Sequence, residues 1–459
     1  MTGPRTLHLV ASLMTPGHFR SAWRLPEADP TAALSIDYYQ HLARIADDAG
    51  LDAIFVGDAP ALGPDIAHGP GGSIEPFTLL ANLTAITRRV GAVITSSATF
   101  NSPYNLARRF QALDVVTKGR AAVNIVTTAT PAAAANFGLP ALPERAERYR
   151  RAHEFLEVVN KLWDGWAADA VIADQVSGRW SEPGAIAPAD HHGEFFDVAG
   201  PLPGPPGPQG RPVVVQAGGS DGGLSLGATH GDVVFTVAQT QGKAVAFRDD
   251  IRARATAAGR HPDDVKVSLG VIVLVGTDEA DAAARAEQLY ATLDVDALAR
   301  GVLTSLGLPG HDLDEPIHLP QLPEIDSIAA FSTGFQVSTR ALIAQQPLSA
   351  RAIVRRTAGG PGGGHRLVVG SPERIADDLQ DWFAAGTADG FTVMFADTTV
   401  DFERFARLVV PILIDRGLFA PAADGSTLRE RLGLPFPHGR PERSTQNPST
   451  RGAATRVPA

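Results

Sequence analysis

Several short stretches of this chain carry side chains whose types and spacing could do chemistry. Phe55-Val56-Gly57-Asp58 sets a carboxylate directly behind a short apolar run. In a barrel that strand end is where catalysis sits, although an Asp there also caps a following segment. Val93–Tyr104 (VITSSATFNSPY) and Asn124–Thr128 (NIVTT) close two further apolar runs with hydroxyls and an amide. A neutral polar ring of that kind suits a planar heterocycle with many hydrogen-bonding edges, such as a flavin. The same residues also end strands that bind nothing. Gln216–Gly223 (QAGGSDGG) is a Gly-rich turn with Ser220 where a helix begins. Free backbone N–H groups there can hold a phosphate and Ser220 can add a hydroxyl, or Ser220 is simply an N-cap. Neither a GxGxxG fingerprint nor a Walker loop is present. Asp190-His191-His192-Gly193-Glu194 has metal-ligand residue types, but they are too crowded to converge on one ion, and a polar turn is the better reading. No metal is therefore expected. The charged stretch Glu144–Asn160, which carries Tyr149, reads as a solvated helix face.

The elements that must position these groups alternate strand and helix. Buried-strand patterns fall at Leu7–Leu13, Leu51–Val56, Val90–Thr99, Ala121–Val126, Val213–Gln216, Asp232–Val237, Val265–Val275 and Phe391–Phe395. Helical spacing fills most gaps, as at Leu34–Ala49, Glu75–Arg88, Leu106–Val116, Leu224–Thr229, Val245–Ala258, Glu279–Leu293 and Glu373–Ala385. Eight strands with intervening helices match an α/β TIM (β/α)8 barrel; a doubly wound sheet shows the same alternation. Two stretches break it. Residues 163–210 end in LPGPPGPQG, and residues 295–364 end in GGPGGG. Both are expected as large insertions over the C-terminal face of a single domain spanning 1–435. Residues 436–459, rich in Pro, Arg, Ser and Thr, read as a disordered tail.

Composition narrows the function classes. At 459 residues, 44% hydrophobic and 20% charged, the chain has ample material for a core. A net charge of −10 argues against nucleic acid and anionic membranes as partners. The absence of cysteine removes disulfides, thiolate metal sites and a Cys nucleophile. No apolar run approaches the roughly 20 residues needed to span a bilayer, and the N-terminus has no export pattern. A cytoplasmic enzyme is expected.

Taken in order, the motifs resemble the bacterial luciferase-like flavin monooxygenases. The likeness is nearest to the branch of nitrilotriacetate, dibenzothiophene-sulfone and long-chain alkane monooxygenases. It is carried by HFRSAWR (His18–Arg24), SIDYYQHLAR, FVGD, the block Pro103–Thr128, NFG, ERYRRAHEFLE, DHHGEFFDVAGPL, PQGRPVVVQAGGS, GSPERIADDL, ADGF and STLRERLGL, and runs from about His8 to Pro435. The resemblance implies a TIM barrel that uses FMN reduced elsewhere. A separate NAD(P)H-dependent flavin reductase would supply FMNH2, and a flavin C4a-hydroperoxide would pass one oxygen atom to a small organic substrate. It also implies a homodimer or homotetramer. Asp58, Thr99, Asn124 and Thr128 would line the isoalloxazine and ribityl chain. Tyr149, Ser220 and the backbone of Gly219–Asp221 would hold the phosphate. His18 would stand near the reacting end of the flavin as the catalytic residue. The chain departs from the family pattern at Val123 (usually Trp), Thr128 (usually Ser) and Arg145 (usually His). Arg145 could pair with phosphate or an acidic substrate, but cannot serve as an acid or base. The rival functions are a deazaflavin-dependent hydride-transfer oxidoreductase of the same superfamily and a non-catalytic flavin-binding relative.

Overall fold

The computed structural model describes residues 5–63, 66, 69–70, 74–325, 333–357 and 364–437. The expected tail beyond Pro437 lies outside the described residues.

Eight parallel strands close into a barrel in sequence order: β1 (His8–Ser12), β2 (Ala53–Val56), β3 (Gly91–Ser97), β4 (Ala121–Val126), β5 (Val213–Ala217), β6 (Val233–Thr236), β7 (Lys266–Val275) and β8 (Gly390–Phe395). The ring shuts where β1 pairs with β8, His8 opposite Gly390 and Ala11 opposite Val393. This settles the choice left open by periodicity, because a doubly wound sheet has two free edges. The strands are short apolar runs with alternate residues on opposite faces. Leu9, Ala11, Ile54, Val56, Ala92 and Ile94 belong to the cluster shared with the surrounding helices. Val10, Ala53, Phe55, Val93, Ala122, Val213, Val215 and Val233 form a second cluster inside the barrel.

Helix ends are set by local chemistry. Ser35 accepts the Tyr38 N–H to start the helix Ile36–Asp48, and proline opens Pro76–Ala85, Pro103–Val116 and Pro372–Ala384. The C-terminal segment then plugs the barrel floor. Thr427 and Glu430 form a reciprocal capping box for Leu428–Arg431, and Leu428, Leu432 and Leu434 join the inner cluster. Arg429 pins the plug to Asp232 at 2.8 Å.

The two insertions sit differently. The described parts of residues 295–364 stand at the C-terminal face with a core of their own, which includes Val302, Leu303, Leu342, Ile353 and Val354. The strand that follows, Arg366–Gly370, pairs with Val271–Val275 while β8 pairs with Ser268–Val273. It therefore occupies the other edge of β7, above the point where β6 stops, and raises the barrel wall there. Residues 163–210 do not cover the face as expected. They follow the helix Arg145–Trp163, whose end meets Arg211, just before β5, through Asp164, and so leave from the opposite end of the barrel. They climb the outer flank instead: Gln111 Nε2 donates to Gly204 and Pro205 carbonyls, and His191 meets Glu154 at 3.1 Å. The DHHGE segment is a small hairpin turn in this flank, with His192 Nδ1 2.8 Å from Asp197. No described helix is long and apolar enough to cross a membrane.

Candidate active site

The loop after β1 folds back over the strand ends. The His18 N–H donates to the Phe395 carbonyl at 2.8 Å, and Phe19 does the same to Ala396 at 3.1 Å. Gly17 permits the approach: its φ is 151°, and a Cβ there would lie 2.3 Å from the Ala396 oxygen. His18 thereby reaches the barrel mouth. Burial, then the neighbouring His365 and Arg20, push its pKa down to about 3. It is neutral at neutral pH, and its Nε2 is shut off from solvent without a partner among the described residues.

His365 was not visible as a site residue in the sequence. It closes the 295–364 insertion and stacks edge-on against His18, ring centres 5.6 Å apart. Burial lowers its pKa to about 4, and its Nε2 is also unpartnered. Gln239, just past β6, holds the adjacent Gly364 carbonyl at 2.5 Å. The only sequence signal for His365 was a lone histidine directly after GGPGGG.

Thr99 and Thr128 come together at the ends of β3 and β4, and Asn124 lies one turn of the pleat deeper in β4, opposite Thr95. Asn124 Nδ2 donates to Thr95 Oγ1 at 3.1 Å, while its Oδ1 is buried with no partner among the described residues. Thr128 Oγ1 donates to Ser97 Oγ at 2.7 Å, and Ser97 Oγ also accepts from the Thr99 and Phe100 N–H groups. Ser97 is thus the organiser of the cluster, a role that one hydroxyl in a hydroxyl-rich strand end did not reveal. Thr128 has φ 47°, a left-handed conformation that a β-branched residue rarely adopts. Arg148 supports it by donating to the Thr127 carbonyl at 3.1 Å and to that of Thr128. Desolvation is the main cause of the lowered Arg148 pKa. Arg145 is exposed at the first turn of the same helix. The cation turned toward the strand ends is therefore Arg148, which the sequence reading passed over in favour of Arg145.

Ser220 caps the helix Asp221–His230 by accepting the Gly223 N–H at 3.3 Å, and it also donates to the Tyr149 hydroxyl at 3.0 Å. The cap and the contact to Tyr149 coexist. Gly222 allows the helix start to press on Tyr149, since a Cβ there would lie 2.8 Å from the ring. A Cβ on Gly219 would meet only open space. The Asp221 carboxylate turns outward to Arg254 at 2.8 Å, leaving its backbone N–H as its contribution to the turn. Two hydroxyls and a helix N-terminus beside open space fit a phosphate. The orphaned Asn124 Oδ1 and histidine nitrogens at the mouth fit a polar ring system. Asp58 lies two residues past the end of β2. Partial desolvation, then Glu75, raise its carboxyl above the usual range.

The luciferase-like monooxygenase family model matches residues 15–389. Nitrilotriacetate monooxygenase component A of Aminobacter aminovorans is 37% identical over 93% of this chain and 95% of its own length. A dibenzothiophene-sulfone monooxygenase of Rhodococcus erythropolis (strain XP) is 35% identical over 95% and 98%. The crystal structure of a riboflavin lyase with modified FMN and riboflavin superposes with a TM-score of 0.80 at 29% identity, over 94% of this chain and 97% of that one. With the barrel, the mouth and these relatives in agreement, the chain belongs to the luciferase-like monooxygenase family and is a flavin-dependent monooxygenase.

Proposed function

We propose that this enzyme is the oxygenase of a two-component system. It uses FMN, reduced by a separate NAD(P)H-dependent flavin reductase, to insert one atom of dioxygen into a small organic substrate. The observation that carries the reading is the Ser220–Tyr149 hydrogen bond at a helix N-terminus, a seat for one phosphate with no dinucleotide fingerprint beside it. The component A designation of the nitrilotriacetate relative supports a partner reductase.

Reduced FMN, when bound, supplies the electrons and the oxygen-activating chemistry. The protein supplies position and dryness. Tyr149, Ser220 and the first-turn N–H groups hold the phosphate. Asn124, Thr99 and Thr128 orient the ring and ribityl chain. His18, neutral at working pH, offers Nε2 as a hydrogen-bonding group beside the reacting edge. The insertion at the face and the raised wall of Arg366–Gly370 keep water from the mouth.

Two measurements test the reading. Titration with FMN and FAD, reduced and oxidised, should show preference for FMN, whereas equal affinity contradicts it. A substrate screen with an added flavin reductase should give a product one oxygen atom heavier.

A further inference from the structure

The lumen of a TIM barrel is normally filled by layers of bulky branched side chains. Here several inward positions in its lower half are small: Ala53, Ala122 and Gly390, among the valines of β1, β3, β5 and β6. They leave a cavity of about 130 Å³. Leu428 and Leu432 of the C-terminal plug close it from below, while Asn124, Phe235 and Thr392 form its upper wall. Gly390 cannot be enlarged to fill it, because a Cβ there would lie 2.3 Å from the His8 carbonyl oxygen. Of the charged residues on its margin, Asp389 is held by Arg248 at 2.7 Å, and His8 lies 3.6 Å from Asp52; Lys266 also lines it.

A void costs stability, and a better-packed core would be easy to reach by substitution. An apolar cavity of this size also repels water, which needs two to four polar partners, yet accepts small apolar guests. Asn124 belongs at once to the wall of the cavity and to the cluster that would line the flavin. The chamber therefore adjoins the flavin seat from inside the barrel, on the side away from solvent.

We propose that this chamber is a binding site for dioxygen, holding the apolar co-substrate beneath the flavin. The inference rests on the monooxygenase function proposed above. The cavity is too small for nitrilotriacetate or dibenzothiophene sulfone, and dioxygen is the one apolar, diatomic participant that the reaction requires. The occupant reaches the flavin past Asn124 without crossing the water-exposed mouth.

The test uses the full chain in two arms. Crystals without flavin are pressurised with xenon. A xenon peak among Ala53, Ala122 and Val215 is expected, and it should vanish in Ala122→Leu and in the milder Val215→Ile. Reoxidation of enzyme-bound reduced FMN is then followed at several dioxygen concentrations. The second-order rate constant should fall severalfold in the filled variants, while the anaerobic affinity for reduced FMN stays unchanged. An empty chamber under xenon overturns the proposal, as does a xenon site whose filling leaves the dioxygen dependence untouched. Failure of the wild-type chain to bind reduced FMN overturns the function instead, and the xenon arm reads the chamber independently of that outcome.

Discussion

His18 and His365 meet edge-on across the barrel mouth, 347 positions apart in sequence and 5.6 Å apart between ring centres. One arrives on the loop after β1, the other at the end of the face insertion. Each buries an Nε2 that has no partner among the described residues. Two neutral imidazoles with free nitrogens can divide the labour of accepting and donating one hydrogen bond each to whatever lies between them.

His18→Ala should therefore reduce product turnover by roughly 10²-fold or more. It should also raise the share of reduced flavin lost as H2O2 and leave flavin affinity nearly unchanged. Product formed per flavin oxidised, set beside fluorescence binding, separates these effects. Normal coupling in His18→Ala would leave the residue a structural role only, and His365→Ala is the matched comparison.

The same burial predicts a pH dependence of stability. The folded state holds His365 neutral down to about pH 4, whereas the unfolded chain protonates it near 6.5. Between those values the unfolded state binds more protons, so stability falls as pH falls, by at most about 1.4 kcal/mol per pH unit for this group. His365→Phe should flatten the slope of unfolding free energy against pH in that window and nowhere above it. Urea unfolding across the window, wild type against variant, isolates the contribution. A variant with the wild-type slope would mean that His365 is open to solvent.

Ser220 has two jobs that a single substitution confuses. Ser220→Ala removes a cap worth about 1 kcal/mol and a hydroxyl beside the phosphate seat, so both stability and FMN affinity should drop. The hydroxyl loss is worth roughly 1.5–3 kcal/mol toward a charged group, about tenfold or more in dissociation constant. Ser220→Asp separates the jobs. Aspartate caps as well as serine but repels a phosphate, so thermal stability should hold while FMN affinity falls further than in Ser220→Ala. Equal FMN affinity in wild type and Ser220→Asp would place the phosphate elsewhere.

The eight strands were legible because each is a short apolar run ended by Gly, Asp or hydroxyls, and β7, the longest, shows the plainest run (VSLGVIVLV). Tyr149, placed beside Ser220 by the resemblance alone, is joined to it by a hydrogen bond. What escaped was tertiary. Nothing local says that 163–210, having left from a helix, climbs the flank instead of the face. His365 gains its place only because Arg366–Gly370 adds to β7 above β6. Arg148 matters because its fork meets the carbonyls of Thr127 and Thr128, and carbonyls carry no sequence signature.

Arg148 and Arg145 should now behave differently. Arg148→Ala strips support from the strained Thr128 and leaves two carbonyls without their donor. It should cost about 1.5–3 kcal/mol of stability and weaken FMN binding. Arg148→Lys should recover only part of either, since an ammonium cannot span two carbonyls as the planar fork does. Arg145→Ala, at an exposed position, should change stability by less than about 0.5 kcal/mol. If Arg145 steers an acidic substrate, its loss should raise KM without altering kcat. Thermal unfolding and flavin titration of the three variants decide the order.

The barrel floor offers the last prediction. Leu428 is 1% exposed, packed beneath Ala53, Val93 and Ala122, and its methyls come within 3.0–3.2 Å of where a Gly91 Cβ would stand. Leu428→Ala should cost about 2–5 kcal/mol, toward the upper end, because the new void merges with one already present and the strands above it cannot collapse inward without breaking the closed ladder. Thr427→Ala, which breaks the capping box but leaves the leucine in place, should cost only about 1 kcal/mol. Val176, 99% exposed in the turn between the paired strands Val171–Asp174 and Arg179–Ser181, is the control, and Val176→Ser should be near neutral. Chemical unfolding of the three variants gives the ranking directly. A Leu428→Ala variant as stable as Thr427→Ala would mean that the C-terminal segment rests against the barrel without closing it.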